Sequence, residues 1–217
     1  MSGFVVLEGG EGVGKSTLIV ELSKSFLAMG VKVLTTREPG ATSLGKVLRD
    51  LLLDPQRKID KMAELLLFAA DRAQHVGEVI RPAINDGALV LCDRYVFSTI
   101  AYQGYGRGID LRKLEFLNSI ASSGLLPDLV LLLDLEPEIA IRRVSKRLEE
   151  VKKYSRSEVS EADRFENCDM EFHRAVRRGF LNLASEFKDI FVTLDASKSP
   201  QVLVSEALAL VRERCGL

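Results

Sequence analysis

Near the start of the chain, Gly9-Gly10-Glu11-Gly12-Val13-Gly14-Lys15-Ser16 spells G-x-x-x-x-G-K-[ST]. Those residue types at that spacing suit wrapping the phosphates of a nucleoside triphosphate. Glycines let successive backbone N–H groups converge on phosphate oxygens, and a helix starting at Lys15 adds the positive end of its dipole. Lys15 would reach the β- and γ-phosphates, and the Ser16 hydroxyl would bind Mg²⁺. Glu11 is the odd member of the loop. A carboxylate among phosphates must be held away from them or be used, and binding a sugar hydroxyl is a sensible use. Further on, Asp93 ends the apolar run Leu89-Val90-Leu91-Cys92. A carboxylate there can orient Mg²⁺ or its bound water, although turn chemistry accounts for many such aspartates.

A phosphate loop serves switches, motors and kinases alike, so the second ligand must be read elsewhere. Arg37, in Thr36-Arg37-Glu38-Pro39-Gly40, follows the second apolar run, and Arg94, in Asp93-Arg94-Tyr95, follows the third. Both stand at carboxyl ends of strands, where open α/β sheets bind ligands. Two guanidiniums at that edge suit the phosphate of an acceptor, which an arginine grips in a bidentate fork. Phe68 and Arg72 are four apart on a helical segment and share a face. That pair can stack a base and donate to its carbonyl edge; it reads equally as a core phenylalanine beside a snorkelling arginine. Ser98, Thr99, Tyr102 and Gln103 form a polar and aromatic cluster in which Thr99 or Gln103 could read a base edge. Taken alone it is ordinary helix surface.

The elements that must position these residues alternate. Apolar runs at Phe4 to Leu7, Val31 to Leu34, Ala88 to Cys92, Leu129 to Leu133 and Ile190 to Leu194 suit strands buried on both faces. Helical periodicity fills Lys15 to Met29, Ser43 to Leu53, Lys61 to Asn85, Asp110 to Ser122, Pro137 to Glu150, Asp169 to Phe187 and Pro200 to Arg214. Strand and helix in alternation predict an α/β protein with a parallel sheet covered by helices. Gly30 and Gly87 fit helix stops. Arg147 to Asp163 is rich in Glu, Lys, Arg and Ser between two helices, which reads as a mobile lid.

Bulk properties narrow the choice. The 217 residues fit one domain, and 30 basic against 31 acidic residues leave no field to hold nucleic acid nonspecifically. Cys92, Cys168 and Cys215 lack paired metal or redox spacing and read as reduced thiols. No run is long and apolar enough for a membrane span, and Met1 to Leu7 is too short for a signal peptide, so a cytoplasmic protein is expected. A switch GTPase is disfavoured, since N-K-x-D is absent and Asp93 is followed by Arg-Tyr rather than x-x-Gly.

The ordered motifs EGGEGVGKST, TREPG, LLLFAADRAQH, CDRYVFSTIAYQG, LLLDLEPEIAIRR and DRFE resemble the thymidylate kinase family over nearly the whole chain. The resemblance implies a P-loop NTPase fold with a five-stranded parallel sheet flanked by helices, and a lid at about 147–165. It also implies a homodimer and Mg²⁺-dependent transfer of the ATP γ-phosphate to dTMP. On that likeness the loop from Gly9 through Thr17 holds ATP, and Ser16 and Asp93 serve the metal. Phe68 stacks on thymine, Arg72 donates to its carbonyl, and Thr99 and Gln103 lie on its edge, with Ser98 also in the substrate site. Arg37 and Arg94 hold the dTMP phosphate. Glu11 accepts from the 3′-hydroxyl, and Tyr102 disfavours a 2′-hydroxyl. One class within the family carries a catalytic arginine where Gly12 stands. This chain resembles the other, which supplies it from the lid, with Arg147 and Arg143 as candidates and Lys152, Lys153 and Arg156 as competitors.

Overall fold

The computed structural model describes residues 2–154 and 163–217, with the backbone alone over 151–154. Five strands form one parallel sheet in the order β2-β3-β1-β4-β5. They are β1 (Gly3–Glu8), β2 (Val33–Arg37), β3 (Leu89–Asp93), β4 (Leu129–Asp134) and β5 (Phe191–Asp195). The three central strands are buried along almost their whole length, as continuous Val/Leu runs require. Successive side chains alternate faces. Phe4, Val6, Val90, Cys92, Val130 and Leu132 enter one core, while Val5, Leu7, Leu89, Leu91, Leu129 and Leu131 enter the other.

Helices α1 (Lys15–Ala28) and α9 (Pro200–Cys215) cover the second core. The first is closed by α8 (Met170–Glu186) and by the short α5 (Val96–Thr99), which runs on into a π-helical stretch, Ile100–Gly106. The remaining helices are α2 (Ser43–Leu53), α3 (Lys61–His75), α4 (Arg81–Asn85), α6 (Leu111–Ser122) and α7 (Pro137–Tyr154). This is the P-loop NTPase fold. From β1 the chain first builds to one side and later to the other, opening a crevice beyond the carboxyl end of β1.

Three expectations are corrected. The second strand runs to Arg37, not Leu34, because β-branched Thr35 and Thr36 extend it along a half-exposed edge after the apolar run stops. Lys61 to Asn85 is not one regular helix: Val76–Ile80 is π-helical. Pro82, which follows in the first turn of α4, has no N–H to give the preceding turn, and the wider turn absorbs its ring. Finally, the Ser98 to Gln103 cluster is not helix surface, since Thr99, Tyr102 and Gln103 are buried beneath α6 and α8. Gly30 and Gly87 do end helical segments, with φ of 77° and 76°.

Candidate active site

The loop between β1 and α1 turns on Gly9, Gly12 and Gly14, with φ of 138°, 70° and 105°, a region that glycine enters without steric cost. Around it opens a cleft of about 1330 Å³, lined by Glu11 to Ser16, Arg37, Arg49, Asp93, Arg94, Arg143 and Arg147 among others. Lys15 is buried and donates to the carbonyls of Gly9 at 3.1 Å and Gly10 at 2.7 Å. Burial, then the charge of Arg94, lower its pKa to about 8 against the opposing pull of Asp93, Glu11 and Glu8. Ser16 Oγ donates to Asp93 Oδ2 at 3.1 Å, and Asp93 Oδ1 is buried with no partner among the described residues. A hydroxyl on a carboxylate whose second oxygen is free fits the coordination sphere of a hydrated Mg²⁺.

Arg37 is the last residue of β2 and pairs in register with Asp93, the last of β3, so Arg94 follows directly beside it. Arg94 holds φ at 70°, which turns its side chain from the strand end onto the phosphate loop. Its Nη1 donates to the Gly9 carbonyl at 2.8 Å and Nη2 to Glu11 Oε1 at 2.7 Å, with the guanidinium 4.9 Å above the Tyr102 ring. Glu8, buried one residue before the loop, stabilises that turn. It accepts from the Tyr95 and Ser98 backbone N–H groups and from Ser98 Oγ. Burial alone pushes Glu8 up to about 7, although those donors and Arg94 oppose it.

Glu11 also accepts from the Tyr102 hydroxyl at 2.8 Å. Burial works to raise its pKa, but Arg94 and Lys15 overcome it and hold the carboxyl at about 2. The loop carboxylate is therefore neutralised by the same arginine that faces the cleft.

Phe68, on α3, is half-buried, and its ring lies 6.0 Å from that of Phe165. Arg72 is only 2% exposed, and all its N–H groups face acceptors. Nε and Nη2 meet Glu38 Oε2 at 2.8 Å, Nη1 meets Thr99 Oγ1 at 3.0 Å and Asn118 Oδ1 at 2.8 Å, and Nη2 also meets the Tyr95 carbonyl at 3.0 Å. Direct donation from Arg72 to a base would have to exchange or share one of these acceptors. Gln103 Nε2 donates to buried Glu64 at 2.7 Å.

Sequence reasoning missed several members. Arg49, on α2, lines the cleft and bonds the Pro39 carbonyl; burial and then Arg37 lower its pKa, so the two cations are neighbours. Its position late in α2, away from any strand end, gave no signal. Glu38 joins Arg72 to His75, whose other nitrogen reaches Thr36 Oγ1 at 2.6 Å. Phe165, within DRFE, contacts both Phe68 and Tyr102. Of the lid cations, Arg147 Nη2 bonds Glu166 Oε1 at 2.6 Å, and Arg143 bonds the Ala196 carbonyl at 3.2 Å. The side chains of Lys152 and Lys153, and all of Arg156, lie outside the described residues. A Cβ on Gly12 would stand 2.3 Å from the Ala140 carbonyl, so this backbone has no room for a side chain there.

Comparison with known proteins decides the family. The thymidylate kinase family model matches residues 7–207. The chain belongs to the thymidylate kinase family. It is 43% identical to a thymidylate kinase of Deinococcus radiodurans over 211 residues, covering 97% of each protein. With a thymidylate kinase of Desulfovibrio desulfuricans it shares 47% over 209 residues, covering 96% of this chain and 94% of that protein. The crystal structure of thymidylate kinase from Ehrlichia chaffeensis superposes with a TM-score of 0.76 at 30% identity, over 97% of this chain and 98% of that one. The family fits the geometry: a phosphate loop, a strand-end carboxylate and a group of arginines share one cleft.

Proposed function

We propose that this chain transfers the γ-phosphate of ATP to dTMP, giving dTDP and ADP, and that it does so within one cleft at the carboxyl edge of the sheet. One observation carries the reading. The Gly9 carbonyl accepts from both Lys15 and Arg94, so the cation that meets the donor phosphates and the cation that meets the acceptor phosphate rest on one atom. In phosphoryl transfer the protein supplies mainly position and charge, and this arrangement brings two anions into line without a base, since the acceptor oxygen is already ionised.

The loop amides and Lys15 hold the triphosphate, while Arg94, Arg37 and Arg49 hold the monophosphate. Ser16 and Asp93 would hold Mg²⁺, which neutralises charge on the β- and γ-phosphates when bound. Glu11 and Tyr102, already hydrogen-bonded to each other, face the sugar, and Phe68 offers its ring to the base with Thr99 and Gln103 at the base edge. Arg72 acts from behind Thr99. Because Gly12 has no space for a side chain, the remaining cation comes from the lid, and Arg147 is the better candidate; Arg143 is tied to the loop after β5. The lid expected over about 147–165, of which residues 155–162 lie outside the described residues, would serve to exclude water from this single domain's cleft.

An exposed apolar face on α3 and α6, with Phe116 70% and Ile120 59% exposed beside Met62 and Leu66, supports a homodimer formed there. Three free thiols, and the lack of any described helix able to cross a membrane, support a cytoplasmic setting. The test is ADP release with dTMP, dUMP, dCMP, dGMP and dAMP. The expected result is that dTMP gives the highest kcat/KM and that hydrolysis without acceptor is very slow. Preference for another monophosphate, or fast hydrolysis alone, would refute it.

A further inference from the structure

Glu64 plays no part in the chemistry above, yet it is 1% exposed and carries more partners than its place in α3 explains. Its Oε2 meets Arg164 Nη1 at 2.7 Å, and its Oε1 meets Gln103 Nε2 at 2.7 Å and Arg107 Nε at 3.5 Å. Glu64, Phe68 and Arg72 are spaced four apart on α3 and share a face. Opposite them, Thr99 and Gln103 are also four apart. The two faces join through Gln103 to Glu64 and through Thr99 to Arg72, with Phe68 between the two links.

The Glu64 link fixes a polarity. A side-chain amide has one donating and one accepting end, and a carboxylate between two guanidiniums only accepts. Gln103 must therefore turn Nε2 to Glu64, which leaves Oε1 as the free end. Among the described residues no donor meets that oxygen. At the other link Arg72 only donates, so Thr99 Oγ1 accepts from it and keeps its own O–H to give. No acceptor among the described residues takes it.

Building on the proposed base site, we infer that Glu64 is a positioning residue that selects the base by locking the Gln103 amide with its oxygen toward the substrate. Thr99 then offers a donor and Gln103 an acceptor. That pair complements a 4-keto pyrimidine, which presents O4 as acceptor and N3–H as donor. Cytosine presents an amino group, which the second lone pair of the Thr99 hydroxyl can accept, but its unprotonated N3 meets the Gln103 oxygen acceptor against acceptor. A site built to hydrogen-bond its substrate rejects such a mismatch far more strongly than a missing methyl group.

The measurement is the ratio of kcat/KM for dTMP to that for dCMP. Glu64→Gln keeps the shape but accepts or donates at either end, which frees the Gln103 amide to flip. The ratio should fall at least tenfold, with dTMP losing and dCMP gaining. Gln103→Met should lower the ratio similarly, and adding Glu64→Gln to it should change the ratio little further. If Glu64→Gln slows both substrates equally and leaves the ratio unchanged, Glu64 is only a scaffold residue and the inference fails. The wild-type protein supplies an independent check. The Gln103 side-chain NH₂ protons, followed by NMR, should stay protected from exchange with and without dTMP. Exposure of those protons on dTMP binding would overturn the inference. A wild-type protein that prefers another monophosphate would instead overturn the functional reading on which it rests.

Discussion

Removing Arg94 should have two effects that can be separated. Its guanidinium is the first of the groups that hold Glu11 at about 2 rather than the ordinary 4.5, against the burial that raises it. At about 1.4 kcal/mol per pH unit, ionised Glu11 is favoured by roughly 3 kcal/mol in the folded protein. A depressed carboxyl contributes this stability above pH 4.5 and loses it as the pH falls toward 2, so the comparison belongs at pH 7. Arg94→Met keeps an unbranched side chain there but removes the guanidinium, leaving the buried Glu11 carboxylate with the Tyr102 hydroxyl and the charge of Lys15. For a chain of this size the melting temperature should drop by about 10 °C. Glu11→Gln in the same chain removes the carboxylate charge and should return most of that loss. Activity should behave differently. Losing a charge-assisted clamp on the acceptor phosphate should cut kcat/KM for dTMP by about a thousandfold, and the double variant should not recover it. Scanning calorimetry and a coupled ADP assay on the four proteins of the cycle supply the readings. If the double variant matches Glu11→Gln in kcat/KM, Arg94 is only a structural partner of Glu11 and the acceptor site lies elsewhere.

Other outcomes follow from the same geometry. Lys15 titrates at about 8 in the free protein, and the triphosphate charge must raise it, so ATP binding takes up a proton above pH 8 and weakens as the pH rises. Calorimetric titration in buffers of different ionisation enthalpy checks this, and affinity constant to pH 9.5 would contradict it. Lys15→Ala should abolish turnover with the fold retained, by circular dichroism and assay. Arg147→Ala should lower kcat by about a hundredfold or more with little change in KM for dTMP, whereas Arg143→Ala should spare kcat. Phe116→Glu should shift the protein from dimer to monomer in light scattering; an unchanged mass would remove α3 and α6 as the interface.

The fold was legible because its signals were local. Valine and leucine runs ending in Asp93, and glycines at positions needing positive φ, identify strands and loop without knowledge of what packs on them. Arg37 and Arg94 were legible because strand ends in a parallel sheet share one edge. What stayed hidden depended on packing. Arg49 reaches the cleft only because α2 lies beside the end of β2, and Glu8 matters only because the chain after Arg94 folds back over it. Arg72 shows what spacing leaves out. Its type and spacing suit a base contact, yet four neighbours remote in sequence take up its donors. Spacing places a side chain on a face, but it does not say what already occupies that face.

A crystal structure with a non-hydrolysable ATP analogue and dTMP bound together tests the central claim most directly. The expected result places the γ-phosphate at Lys15 and the monophosphate within hydrogen-bond distance of Arg94, with Arg37 or Arg49 beside it. A monophosphate bound away from all three guanidiniums, with the analogue properly seated on the Gly9 to Ser16 loop, would contradict it.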